Sequence, residues 1–221
     1  MVEHRSNWAG NYTYRAARLH YPQTIQHVQE LVRRSSKLKV LGSRHSFNDI
    51  ADSPEDLISL DHFEPVLVFD HERHMVTVDA GIKYGQICAQ LHRAGYALHN
   101  TASLPHISVA GACATATHGS GDGNGNLATA VAAMELVTAD GELVVLSRDQ
   151  HGEQFQGAVV GLGGLGVVTK LTLDLVPTFE LRQDVYEDLP LAQLEDHFDA
   201  IMSSAYSVSL FTDWQTERVN Q

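Results

Sequence analysis

A chain of 221 residues can bury a sizeable core, as one large domain or one and a half smaller ones. Its formal charge of −12 argues against a nucleic-acid partner, because gripping phosphates in bulk requires clustered Lys and Arg. The opening residues carry no secretory pattern and no run approaches a membrane span, so the expectation is a cytoplasmic protein without a membrane partner. Cys88 and Cys113 lie far apart and give no disulfide framework, and the thirteen histidines are scattered without the companion ligands a zinc site needs.

In chain order, TIQHVQELVRRSS (24 to 36) sets Ile25, Val28, Leu31 and Val32 at helical spacing, with Thr24 as a cap and basic residues near the end. This helix leads into a strand at Lys39 to Gly42. The stretch VLGSRHSFND (40 to 49) then ends that strand among small polar residues around His45. The residue types alone leave His45 open as a ligand, a base, a nucleophile or a turn residue. VLVFD (66 to 70) and HMVTVDAG (74 to 81) alternate as strands around a charged turn, and YGQICAQLHRAG (84 to 95) reads as a second helix stopping at Gly95. AAMELVTADGELVVLS (132 to 147) is a hairpin about Ala139-Asp140-Gly141, and VVTKLTLDLVP (167 to 177) is a further strand closed by Pro177.

Two glycine-rich stretches differ in kind. GLGGLG (161 to 166) has the dinucleotide-binding spelling, with Glu187 near the acidic spacing, but that fingerprint opens a helix at its last glycine. A strand pattern follows here instead, so the reading is a tight bend packed against a strand. ISVAGACATATHGSGDGNGN (107 to 126) interleaves Gly111, Gly119 and Gly121 with Ala, Ser and Thr. Backbone N–H groups, with the hydroxyls of Ser108, Thr115, Thr117 and Ser120, can hold a diphosphate without Lys or Arg. The absence of Gly-Lys-Ser/Thr excludes a Walker A loop. A glycine loop that binds nothing is the equal alternative.

Taken together, NWAGN, GSRHSFND, ASLPHISVAGACATATHGSG, ELVTADGELV and GLGGLGVVTKLTLDLVP, in this order and spacing, resemble the flavoprotein oxidases of the vanillyl-alcohol oxidase fold. Within that superfamily they are most similar to alditol oxidases, the xylitol oxidase type included. The resemblance implies an α+β fold. Residues 1 to 177 would form an FAD-binding PCMH-type domain of two α/β subdomains, and residues 178 to 221 the start of a C-terminal substrate domain. It also implies that the chain stops soon after that second domain begins, leaving apolar surface uncovered there and little activity in isolation.

The site follows from the same resemblance. FAD would lie between the subdomains, joined covalently through His45 to the methyl group of its dimethylbenzene ring, a bond for which neutral imidazole offers a free lone pair. Val40, Leu41, Gly42, Ser43, Arg44, His45 and Ser46 would form the first flavin loop, with Arg44 standing where many relatives have glycine. Ser103 would lie beside the flavin and the substrate hydroxyls as the catalytic serine. Ser108, Gly111, Thr115, Ala116, Thr117 and His118 would make further flavin contacts, and Val167 or Val168 would touch the adenine side. Bicovalent relatives carry a cysteine near Ser103. None stands here, so a single covalent bond is implied. The implied reaction oxidises a primary hydroxyl of a small polyol such as xylitol or sorbitol to an aldose, with O2 reduced to hydrogen peroxide. The same motifs would serve a sugar-lactone oxidase or dehydrogenase, and a non-catalytic flavin-binding module is the alternative from another class. Polyol preference and oligomeric state are not written in the sequence.

Overall fold

The computed structural model describes residues 6 to 220. Its first unit is built by strand β1 (Arg18–His20), helix α1 (Ile25–Arg34), and strands β2 (Leu38–Val40) and β3 (Asp56–Ile58). The Thr24 hydroxyl accepts a hydrogen bond from the His27 N–H at 3.2 Å, which caps the first turn of α1 as the sequence predicts. Val28, Leu31 and Val32 fall on one face of the helix and are buried against Ile58, Leu60, Val137 and Val167. The three strands form a parallel sheet in the order β1-β3-β2. Central strand β3 is buried along its whole length. Arg18 and Asp56 are paired across β1 and β3, and the guanidinium donates to the carboxylate at 2.6 and 2.9 Å.

The second unit is larger. It contains β4 (Leu67–Asp70), β5 (Met75–Asp79), α2 (Tyr84–Arg93), β6 (Tyr96–Ala97), α3 (Val109–Ala114), β7 (Val131–Val137), β8 (Leu143–Ser147), α4 (Arg148–His151), α5 (Glu153–Val159) and β9 (Val167–Asp174). Five of these strands make an antiparallel sheet in the order β4-β5-β9-β7-β8. Strand β9 alternates buried and half-buried residues without a break, the period-2 signature read from the sequence. Tyr84, Ile87 and Leu91 of α2 join Val76, Val78 and Leu171 in the main core. Gly95 adopts φ +83 just past α2, a conformation that closes a helix at low cost for glycine.

The predicted helices and the hairpin about Asp140-Gly141 are present within one or two residues of their expected limits. Strands β1 and β3 were not expected. Each has only three residues, and a buried Asp-Leu-Ile run carries no alternation to mark it.

Beyond β9, β10 (Val176–Pro177) pairs with β6, and β11 (Leu189–Pro190), α6 (Leu191–Met202) and β12 (Arg218–Val219) form a small outlying group. Residues 177 to 188 are exposed without interruption. This region leaves Phe179, Leu181, Tyr186, Phe211 and Trp214 uncovered, the apolar exposure expected of it. It folds back through the Tyr206 hydroxyl, which donates to the His99 carbonyl at 2.6 Å, and through the Asn124 amide, which donates to the Tyr206 carbonyl at 3.1 Å. Both cysteines are free, and burial pushes the Cys113 thiol up to about 11. Among the described residues no helix is long and apolar enough to cross a membrane.

Candidate functional site

Residues from both sheets line a cavity of about 450 Å³, within the range of small-molecule sites. Its wall comes mainly from residues 39 to 47 after β2, 80 to 83 after β5, 107 to 117 around α3, and 158 to 168 between α5 and β9. Met134 and Leu136 of β7 add apolar surface.

Hydrogen bonds tie these loops together. The Ser108 N–H donates to Ser43 Oγ at 3.1 Å, and the Leu162 N–H to the Ala114 carbonyl at 3.1 Å. Each of three loops also holds one non-glycine residue in the left-handed region: Arg44 at φ 63, Ala116 at φ 52 and Leu162 at φ 51. Such residues cost energy and persist only where their surroundings enforce them, which is common at binding sites. Arg44 thus adopts a conformation that glycine would take at lower cost.

Buried polar atoms give the wall its chemistry. Tyr14 Oη, His45 Nε2 and Ser108 Oγ are buried, lack a hydrogen-bond partner, and belong to residues of this cavity. An unsatisfied buried polar group costs about 1–3 kcal/mol, so three on one cavity suit a polar ligand able to pair with them. Glycine lets the loops pack closely on this hydroxyl: a Cβ on Gly42 would stand 2.8 Å from Ser108 Oγ, and one on Gly111 2.7 Å from the same atom. These features fit a dinucleotide such as FAD, which presents many polar atoms and a flat ring to an otherwise apolar lining.

The His45 ring stacks on Trp8 at 5.0 Å between centroids and lies 4.7 Å from the ring of His106. Burial, and then the neighbouring His106, lowers its pKa below the ordinary value of 6.5. The imidazole is therefore neutral near pH 7 and keeps a lone pair.

The expected residues divide. Val40 to Ser46 all line the cavity, as do Ser108, Gly111, Thr115, Thr117 and Val168. Val167 points elsewhere: it is 1% exposed and packed against α1 in the core. Ser103 is exposed between the lining residues Ala102 and Leu104 without itself forming the wall. Ala116 and His118 also lie outside it, and the His118 ring is exposed, with Nδ1 2.8 Å from the Gly119 carbonyl. The glycine-rich segment leaves the cavity after Thr117. A Cβ on Gly119 would collide with Asn100 and Thr101, and one on Gly121 with the Tyr206 carbonyl, so these glycines serve packing between loops.

GLGGLG is a bend from helix to strand, as expected, yet it also lines the cavity through Gly161, Leu162, Gly163 and Gly166, a role its spelling did not disclose. Tyr14 and Lys83 were missed altogether. Trp8 lay in a motif that carried the resemblance but had no assigned role.

A family model described as an FAD binding domain matches residues 16–147. An alditol oxidase from a Streptomyces species is 47% identical over 213 residues, which cover 95% of this chain and 50% of that protein. The L-gulonolactone oxidase of Bos taurus is 33% identical over 198 residues, covering 88% of this chain and 45% of the relative. The chain spans about half the length of the curated relatives it matches. Among solved structures, the xylooligosaccharide oxidase of Myceliophthora thermophila C1, in complex with xylobiose, aligns with a TM-score of 0.66 at 21% identity, covering 78% of this chain and 38% of that one. Fold, cavity and sequence agree: the chain belongs to the FAD-binding-domain family of the vanillyl-alcohol oxidase, or PCMH-type, flavoproteins.

Proposed function

We propose that the cavity holds FAD, and that the protein oxidises a primary hydroxyl of a small alditol such as xylitol or sorbitol to an aldose, with O2 reduced to hydrogen peroxide. The observation that carries the cofactor reading is the cluster of unpartnered buried atoms of Tyr14, His45 and Ser108 in a cavity whose lining includes Gly42 and Gly111. The substrate class is supported by 47% identity to the Streptomyces alditol oxidase, against 33% to the Bos taurus lactone oxidase.

The chemistry that FAD supplies when bound is acceptance of a hydride from an alcohol carbon and return of the electrons to dioxygen. The chain supplies position. Gly42 and Gly111 let the two loops close on the Ser108 hydroxyl, and the Ser43–Ser108 hydrogen bond fixes the spacing of those loops. Ser103, exposed between Ala102 and Leu104, is the proposed contact for substrate hydroxyls.

His45 is the proposed covalent attachment residue. Its imidazole is held neutral by burial and keeps the lone pair that a bond to the flavin's ring methyl carbon requires. That bond replaces one hydrogen on carbon and one on nitrogen, and dioxygen takes up the two hydrogens and the electron pair as hydrogen peroxide. A division at residue 177 between the flavin domain and a substrate domain belongs to the same proposal, supported by the exposed stretch that follows.

Purified chain loaded with FAD should carry a mass higher by one FAD less two hydrogens and fluoresce on a denaturing gel, and His45→Ala should lose both signals. An adduct that persists in His45→Ala refutes the attachment. Oxygen uptake should be faster with xylitol or sorbitol than with aldonolactones. Faster uptake with lactones would favour sugar-lactone oxidation, the second reading, which the identity to L-gulonolactone oxidases supports. Stoichiometric flavin with no uptake on either class would leave a flavin-binding module.

A further inference from the structure

Residues 7 to 12 form a tight turn whose hydrogen bonds converge on the backbone around His45. The Asn7 side chain, on a residue only 4% exposed, donates to the Asn11 carboxamide oxygen at 2.7 Å and to the Ser46 carbonyl at 2.9 Å, and accepts from the Tyr12 N–H at 3.0 Å. The Asn11 amide donates to the Phe47 carbonyl at 3.2 Å, and the Trp8 N–H to the Arg44 carbonyl at 2.8 Å. Three carbonyls flanking His45, those of Arg44, Ser46 and Phe47, are therefore held by one short segment. The Trp8 indole then lies over the imidazole with an interplanar angle of 29°.

We infer that this turn is a strap that orients the His45 ring, with Asn7 and Trp8 as its positioning residues. The inference rests on the reading that His45 attaches the flavin, and it adds the parts that hold the ring ready.

The argument is one of geometry. Left-handed backbone at Arg44 puts His45 on a loop with a strained approach, and a strained loop keeps a fixed shape only when something outside it supplies the bonds. The strap supplies them through backbone carbonyls, which bond whatever side chains the loop carries. Trp8 covers one side of the ring and keeps water from it, while its own outer surface remains exposed. His106 is a titratable group packed against the ring, and Arg44 is the charged neighbour in the chain. Removing the indole admits water, frees the ring to rotate and lets it take up a proton more readily. A nucleophile released from its attack orientation loses about tenfold or more in rate.

Two readouts on the full chain test this. The first needs no flavin: the titration of the His45 ring followed by NMR in wild type, Trp8→Ala, Trp8→Phe and Asn7→Asp. The expected result is a midpoint shifted toward 6.5 in Trp8→Ala and Asn7→Asp and close to wild type in Trp8→Phe, which keeps an aromatic cover. The second is the rate of covalent flavin attachment, scored as the covalent fraction of bound flavin by mass. Trp8→Ala and Asn7→Asp should be slowed about tenfold, with their pH profile displaced upward, and Trp8→Phe should recover most of the rate. Matched circular dichroism spectra identify the variants that fold. A His45 midpoint and attachment rate unchanged in Trp8→Ala would overturn the strap. A wild-type chain that never links flavin would overturn the attachment reading instead, and the NMR titration would still decide whether the strap governs the ring.

Discussion

Ser108 shows how a single residue carries opposed demands. Its amide is committed to Ser43 Oγ, while its hydroxyl is buried without a partner, at 3% exposure for the residue. Ser108→Ala removes that unsatisfied hydroxyl, so the flavin-free chain should gain about 1 kcal/mol of stability while retaining FAD less well. Denaturant melts with and without FAD check both halves. A less stable flavin-free variant would show that the hydroxyl is already satisfied.

His45 gives a pH dependence with a definite sign. Its folded-state pKa is depressed, chiefly by burial, so protonation favours the unfolded chain. Its contribution to stability is complete above the ordinary value of 6.5 and is lost as pH falls through and below it. Between pH 7.5 and 5.5 the wild type should therefore lose more stability than His45→Ala, as measured by urea midpoints at the two pH values.

Among the elements, β3 carries a buried, paired charge. Asp56 is 1% exposed and accepts from Arg18 at 2.6 and 2.9 Å, with His20 Nε2 2.7 Å away. The Arg18 guanidinium holds its carboxyl well below the usual carboxylate range against the opposing effect of burial. The stabilisation is present above the ordinary value of 3.8 and is lost as pH falls through the folded-state pKa. Arg18 reaches solvent, with 61% of its side chain exposed, so breaking the pair strands no buried cation and the cost sits below that of a fully buried bridge. Asp56→Asn should cost about 2 kcal/mol by thermal melt at pH 7, a difference that largely persists at pH 3 and fades only as pH falls further toward the depressed folded-state pKa. Helices α1 and α2 were legible in the sequence because ten residues of amphipathic spacing repeat one signal several times. Strand β3 was not, since three residues buried on every side repeat nothing. The cavity divides in the same way. The loop through His45 and the segment from Ser108 to Thr117 are continuous in sequence, and their small residues advertise close approach. Tyr14, Trp8 and Leu162 reach the wall because the topology brings distant segments together, and the motifs that contain Trp8 and Leu162 do not by themselves mark them as lining. Val167 and Val168 differ by the side of a strand alone, which depends on where β9 enters its sheet.

At the scale of the molecule, the cavity joins the two units, with Val40 contributed from the parallel sheet and Met134, Leu136 and Val168 from the antiparallel one. A ligand there bonds to both, and binding to the folded state alone stabilises it by mass action. FAD at a hundredfold excess over its Kd should add about 2.7 kcal/mol, roughly 5–10 °C in Tm for a chain of this size. Differential scanning calorimetry across a range of FAD concentrations measures the slope, and a Tm independent of FAD would place the ligand elsewhere. The uninterrupted exposure of residues 177 to 188 has a different consequence. An exposed stretch with few backbone partners is where a protease finds extended substrate without first unfolding anything. Brief digestion should nick the chain between Thr178 and Asp188 before any other site. The two pieces should still migrate together under native conditions, because the bonds from Tyr206 to His99 and from Asn124 to Tyr206 lie outside the cut. This seam is then the natural handle for exchanging everything that follows it while the flavin cavity stays intact.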